Sequence, residues 1–134
     1  MLLDSNLIIY AVQPEHAFLC EWLERDDSVV SGISLPEVLG YTQLTPRQRN
    51  FYDNFFTSTP MLPVDEPVLR RAAELRQLRK FKLGDSIVAA TALVHGLTLA
   101  THDKEDFQWI PRLSLIDPFD RKPQKPSEDE GTKL

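Results

Sequence analysis

Five carboxylates in this chain stand where chemistry could gather: Asp4 after the opening MLL, Glu37 within SLPEVLGY, Asp85 within KLGDSIVAA, and Asp103 and Asp106 within LATHDKEDF. Taken singly, each has an ordinary explanation. Aspartate ahead of a helix is a favoured N-cap, so Asp4, Asp85 and Asp103 read locally as caps, as does Asp65 before Glu66 and Pro67, while Glu37 reads as a surface glutamate. Taken together they imply something else, because carboxylates sharing one cleft repel one another unless a cation compensates them. An oxygen donor set, with His102 as the one histidine nearby and Cys20 elsewhere, suits hard Mg²⁺ or Mn²⁺ and not structural zinc. Magnesium keeps much of its water shell and leaves positions for phosphate oxygens and an attacking water. The chemistry this predicts is phosphoryl chemistry.

Such convergence requires elements that all point one way. Apolar runs without polar alternation recur at 1–3, 29–30, 61–64, 97–100 and 113–116, the pattern of strands covered on both faces in a parallel sheet. Segments of helical spacing lie between them. Phe18, Trp22 and Leu23 mark one, Phe51 and Phe55 another, and Val68, Ala72 and Leu75, joined by Leu69 and Ala73, a third. IVAATALV, 87–94, is apolar on nearly every side and predicts a buried helix against the sheet, with His95 satisfying its C-terminus. Ser34 is a plausible cap, with Pro36 in the turn that follows. The expectation is an α/β fold: a short parallel β-sheet flanked by helices on both faces, in three layers, with whatever follows each strand collecting along one edge.

With 134 residues, 42% hydrophobic and 26% charged, the chain predicts one globular domain and no collagen-like, disulfide-scaffold or wholly disordered class. Its apolar runs fall short of the roughly 18 residues that span a bilayer, and the opening segment lacks the basic flank of a secretory signal, so no membrane role and a cytoplasmic location are expected. The single Cys20 agrees with a reducing compartment. After Pro118 the composition turns polar, and 119–134 is expected to be a disordered tail outside a domain of 1–118. The net charge of −5 leaves any attraction for a polyanion to a local patch. Arg70, Arg71, Arg76, Arg79, Lys80 and Lys82 supply one, readable either as a nucleic-acid-binding surface or as a solvated helix face.

LLDSN, PEVLGY, LGDSIVAATAL and LATHDKEDF, in that order and at these separations, resemble the four acidic motifs of the PIN-domain nucleases, and in particular the VapC-like toxins of bacterial and archaeal toxin–antitoxin pairs. The likeness runs from Met1 to about Pro118. It implies a Mg²⁺- or Mn²⁺-dependent endoribonuclease that leaves a 5′-phosphate and a 3′-hydroxyl, homodimerises and is inhibited by a small antitoxin. By motif matching Asp4, Glu37, Asp85 and Asp103 are the implied catalytic and metal-holding acids, with Asp106 as an additional or competing fourth. Ser5, Asn6 and Thr101 beside them orient carboxylates or waters, or serve only as turn and capping residues.

Two other readings stay beside this one: a catalytically silent PIN-like interaction or regulatory domain, and a PIN nuclease of general RNA processing. The chain lacks GxGxxG and GxxxxGK[ST] phosphate loops. A haloacid-dehalogenase phosphatase would need its second aspartate at Asn6, and a response-regulator receiver would need an acidic pair near the N-terminus and a phospho-acceptor after a middle strand. His16, His95 and His102 show neither metal spacing nor a triad partner. Trp22 and Trp109 are expected in the core or an interface and not as base-stacking platforms. Phe18, Trp22, Leu23, Tyr41, Phe51 and Phe55 form either a generous core or a protein-contact surface.

Overall fold

The computed structural model describes residues 1–121, so most of the expected tail, 122–134, lies outside the described residues. Each apolar run contributes a strand: β1 (Leu2–Leu3), β2 (Val30–Ser31), β3 (Met61–Leu62), β4 (Leu99–Ala100) and β5 (Leu115–Ile116). β1 pairs with β4, β4 with β5 and β2 with β3, all in parallel, and a parallel bridge between Leu2 and Val29 joins the two ladders. The spatial order is therefore β3-β2-β1-β4-β5. Chain order runs outward from β1 in both directions, so β1 occupies the point where open α/β sheets form their ligand crevice.

Seven helices fill the connections among the described residues: α1 (Ser5–Ala11), α2 (Leu19–Leu23), α3 (Ser34–Leu39), α4 (Pro46–Ser58), α5 (Glu66–Leu78), α6 (Leu83–His95) and α7 (Lys104–Phe107). None of them is long and apolar enough to cross a membrane. Successive strand residues point to opposite faces, which splits the core in two. Leu2 and Leu99 pack with Val68, Ala72 and Leu75 of α5 and Val88 and Ala89 of α6. Leu3 and Ala100 pack on the other side with Leu7 and Ile8 of α1, Leu19 of α2 and Tyr52, Phe55 and Phe56 of α4. The three-layer expectation holds. Full burial holds for β1, β2 and β4, whereas the edge strands β3 and β5 remain partly exposed.

Ser86 to Ala92 of α6 are all buried, and three of the seven are alanines, which lets the helix backbone approach β2 closely. Thr91 ties it down from inside, its hydroxyl donating to Ile87 O at 2.7 Å and lying 3.0 Å from the Ser31 hydroxyl. Burial stops at the last turn, where Val94 is exposed. That end is closed not by His95 but by Gly96 in the left-handed region (φ 65°). The amides of Gly96 and Leu97 reach back to Leu93 O and Ala92 O, a glycine-terminated motif that satisfies the last carbonyls.

Three further expectations need correction. Leu69 and Ala73 do not join the apolar stripe of α5, because at 100° per residue they rotate out of its buried arc, and Leu69 faces solvent. For the six residues read as either core or contact surface, the surface alternative gives way: Leu23 and Phe55 are buried, Phe18 and Phe51 are half-buried against the second core, Trp22 is half-buried, and of the six only Tyr41 is well exposed. Phe119, assigned by composition to the tail, folds back in a 3₁₀ turn (Pro118–Arg121) and stacks on the His102 ring at 3.8 Å.

Replacing Ala89 with Leu forces extra volume between α6 and the sheet and should lower stability by about 1–3 kcal/mol. Val94→Leu, at the exposed end of the same helix, should change it by less than about 0.5 kcal/mol. Thermal melts of the two variants followed by circular dichroism check both.

Candidate active site

Asp4 leaves the sheet at the C-terminal end of β1, its amide still held by Ala100 O at 2.9 Å. Its backbone occupies the N-cap position of α1, yet its side chain makes no cap bond. The carboxylate is instead buried and accepts the Thr101 hydroxyl proton at 2.8 Å. Thr101 follows β4, and its hydroxyl oxygen in turn accepts the Asp103 amide at 3.0 Å. Asp103 likewise occupies a cap position, that of α7, without capping; its carboxylate accepts from the Asn6 amide at 2.9 Å. Asp85, third residue of α6, caps nothing either. The cap reading therefore fails for all three and holds for Asp65, whose carboxylate accepts from Val68 N at 3.4 Å.

Glu37 reaches the same edge from α3. Its Oε1 accepts the Ser5 hydroxyl at 2.6 Å, and Ser5 sits 2.7 Å from the hydroxyl of Ser34, both serines buried. Ser34, expected as a cap, lies inside the helix that Ile33 begins, and its side chain supports this hydroxyl pair. Gly84 fixes the other side of Glu37, because a Cβ at that position would collide with the Glu37 carboxylate. The glycine lets the first turn of α6, and Asp85 with it, come up against Glu37. Neither Gly84 nor Ser34 carried a sequence signal for this role.

Electrostatics show that the acids act on one another. Burial raises Asp4 to about 7, with the charges of Asp85 and Asp103 adding to it and the Thr101 bond opposing it. Burial also raises Asp85, to about 6, helped by Asp106, Glu37 and Asp103 against the opposing charge of Lys82. Asp103 thus influences both aspartates, whereas exposed Asp106 is the strongest charged neighbour of Asp85. Tyr10, which no motif singled out, is raised by burial first and then by Asp103 and Asp4. His102 pairs at 3.1 Å with buried Asp117, an acid partner that motif spacing did not reveal.

Among the described residues no group of three acidic, histidine or cysteine side chains is drawn together as a closed metal cage. An open set of oxygens whose charges raise one another's proton affinity nonetheless fits a hard divalent ion, since Mg²⁺ binds through one or two carboxylates and keeps several waters. The donor chemistry suits such an ion and no softer one.

The basic run divides. Arg70 and Arg71 are engaged along α5 with Glu66 at 2.7 Å and Glu74 at 4.0 Å. Arg76, Arg79, Lys80 and Lys82 instead line a cavity of about 770 Å³ whose wall includes Asp85 and Asp106. The cationic half of the run shares one depression with Asp85 and Asp106.

The profile of the PIN domain family matches residues 1–113. Toxin FitB of Neisseria gonorrhoeae (strain ATCC 700825 / FA 1090) is 30% identical over 125 residues, covering 80% of this chain and 90% of that protein. Among solved structures, a toxin–antitoxin complex from Klebsiella pneumoniae aligns with a TM-score of 0.72 at 27% identity over 87% of this chain and 96% of that one. FitAcB from Neisseria gonorrhoeae aligns at 0.69 and 27% over 88% and 97%. A DNA-bound VapBC from Salmonella typhimurium, at 22% identity and a TM-score of 0.74 over 87% and 96%, shares the fold. With its parallel sheet, its acid-lined edge and a match that spans nearly all the described residues, the chain belongs to the PIN-domain family.

Proposed function

We propose that this protein is a metal-dependent endoribonuclease and the toxin of a toxin–antitoxin pair. The observation that carries this reading is the gathering of carboxylates at one sheet edge, where Thr101 holds Asp4, Asn6 holds Asp103 and Gly84 lets Asp85 come up against Glu37, with burial first and neighbouring carboxylates second raising Asp4 and Asp85. Asp4, Glu37, Asp85 and Asp103 would hold Mg²⁺ or Mn²⁺ directly or through water, with Asp106 on the outer side beside Asp85. When bound, the ion supplies the positive charge that makes water a nucleophile near neutral pH and stabilises charge building on the phosphoryl group. The chain's part is to fix the oxygens: Thr101 holds Asp4, Asn6 holds Asp103, and Ser5 holds Glu37. Attack of water on phosphorus with loss of the 3′ oxygen, which takes up a proton, leaves a 5′-phosphate and a 3′-hydroxyl.

Arg76, Arg79, Lys80 and Lys82 would draw the RNA backbone toward an acidic centre that otherwise repels it. The likeness to the toxin–antitoxin complex from Klebsiella pneumoniae, 27% identical to this chain, supports a small antitoxin as partner. A homodimer and a cytoplasmic site of action belong to the same reading.

Asp85→Asn and Asp4→Asn should each lower Mg²⁺- or Mn²⁺-dependent cleavage of single-stranded RNA by at least about a hundredfold, with EDTA abolishing it in the wild type. Ser5→Ala, which releases Glu37 without removing it, should cost about tenfold. Gel assays on labelled RNA, with circular dichroism to check folding, measure this; undiminished cleavage by Asp85→Asn would sink the assignment.

Stability carries the same signature. Asp4 keeps its proton up to about pH 7 in the folded state but loses it near the ordinary carboxylate value of 3.8 when unfolded, so in this interval the folded state holds more protons. Its contribution to stability is present at low pH and lost as pH climbs through the interval. The metal-free protein should therefore melt progressively lower as pH rises from about 4 to 7. Asp4→Asn should flatten that slope, and millimolar Mg²⁺ should restore the melting temperature most at the upper end; differential scanning fluorimetry reads all three.

A further inference from the structure

The cavity beside Asp85 has a floor that charge attraction alone does not explain. Trp109 lies in its wall with the indole N–H donating to Asp106 O at 3.0 Å, so the ring's one polar demand is met by the backbone and its orientation is set. Phe81 backs the indole edge-on, with centroids 5.1 Å apart and planes at 78°. Arg79 lies over the indole, its guanidinium carbon 4.9 Å from the ring centroid. Arg76 steadies the same turn by donating from Nε to Phe81 O at 3.0 Å. Lys80 and Lys82 stand on the rim, and neither forms an ion pair among the described residues.

We propose that the Arg79–Trp109 stack is a base-stacking platform, which takes one nucleobase of single-stranded RNA beside the phosphate presented to the acidic cluster. Planar guanidinium and indole groups offer π surfaces that any nucleobase stacks upon, and flat stacking is how proteins take hold of unpaired RNA. The rim lysines are placed to meet the phosphates on either side of that base. A volume of about 770 Å³ accommodates a nucleotide and its sugar within the size range of ordinary ligand sites. Trp109 is half-buried and packs against the first core, yet its ring also lines the cavity and lies under Arg79. The platform would sort RNA by whether a base at that position is free to unstack, which makes it a determinant of where the chain is cut.

The inference rests on the nuclease reading, and one experiment separates their failures. The chain has two tryptophans, so in the Trp22→Phe protein the emission comes from Trp109. In EDTA and low salt, short oligouridine should quench that emission on binding, whereas an equally charged oligonucleotide with abasic sugars should bind more weakly and quench little. Trp109→Leu should bind oligouridine about tenfold less tightly with an unchanged dependence on salt, since it removes stacking and no phosphate contact. Lys82→Gln should do the reverse and flatten the salt slope by about one charge. Equal quenching by the two oligonucleotides overturns the platform and leaves the nuclease reading standing. Absence of any RNA binding overturns both. The quenching comparison needs no change at Trp109, so it decides the matter even where Trp109→Leu fails to fold.

Discussion

Negative charge on Asp4 and Asp85 is held where the fold makes it costly. Burial is the larger cause and neighbouring carboxylates add to it. Natural folds avoid such crowding unless it does something, because the folded state of the metal-free protein is weakened at every pH at which these groups ionise. The surrounding polar bonds hold the acids in this crowded arrangement. Thr101, Asn6 and Ser5 each donate to one carboxylate, and Gly84 removes the one atom that would keep Glu37 away from α6.

The architecture needs only to aim these groups, which accounts for its economy. Strands of two residues suffice because the ladder continues in single bonds beyond them, from Asp4 N to Ala100 O and from Thr101 N to Ile116 O, both at 2.9 Å. The acid and its hydroxyl partner are thus anchored by backbone at the point where their side chains leave the sheet. Packing on both faces then makes that edge rigid, with alanines of α6 on one side and aromatics of α4 on the other. A single helix displaced would separate Glu37 from Asp85, since they are brought by different helices, α3 and α6.

Much of this was legible from the sequence, and what was not shares a cause. Five unalternating apolar runs became five parallel strands, because burial on both faces leaves a pattern in each run by itself. Exposure of β3 and β5 left no such trace, since an edge position is a property of the assembled sheet. The cap reading of Asp4 and Asp103 failed because cap propensity is local, whereas the partners that won, Thr101 and Asn6, each lie 97 residues away. Likewise the basic run looked like one patch, and helix geometry divided it: Arg70 and Arg71 found acids a turn away, while Arg76 and Arg79 lie past or near the end of α5 and turn toward the cavity. Trp109, expected in the core or an interface, does pack against the first core, but nothing in its neighbours announces Arg79 from 30 positions earlier.

The cations also explain why the crowding persists. Lys82 lowers the proton affinity of Asp85, yet its influence is smaller than that of burial or of Asp106, and it forms no ion pair with either acid among the described residues. An internal salt bridge at that point would have relieved the repulsion permanently and occupied the oxygens with an ammonium group. Positive charge is present instead at the distance of a rim, close enough to attract a phosphate chain and too far to neutralise the carboxylates. On the nuclease reading that spacing is the design constraint. The same lysines and arginines draw in the polyanion while the acids stay open to a divalent ion, and both requirements are met only because the cations share a depression with Asp85 and Asp106 without pairing with them.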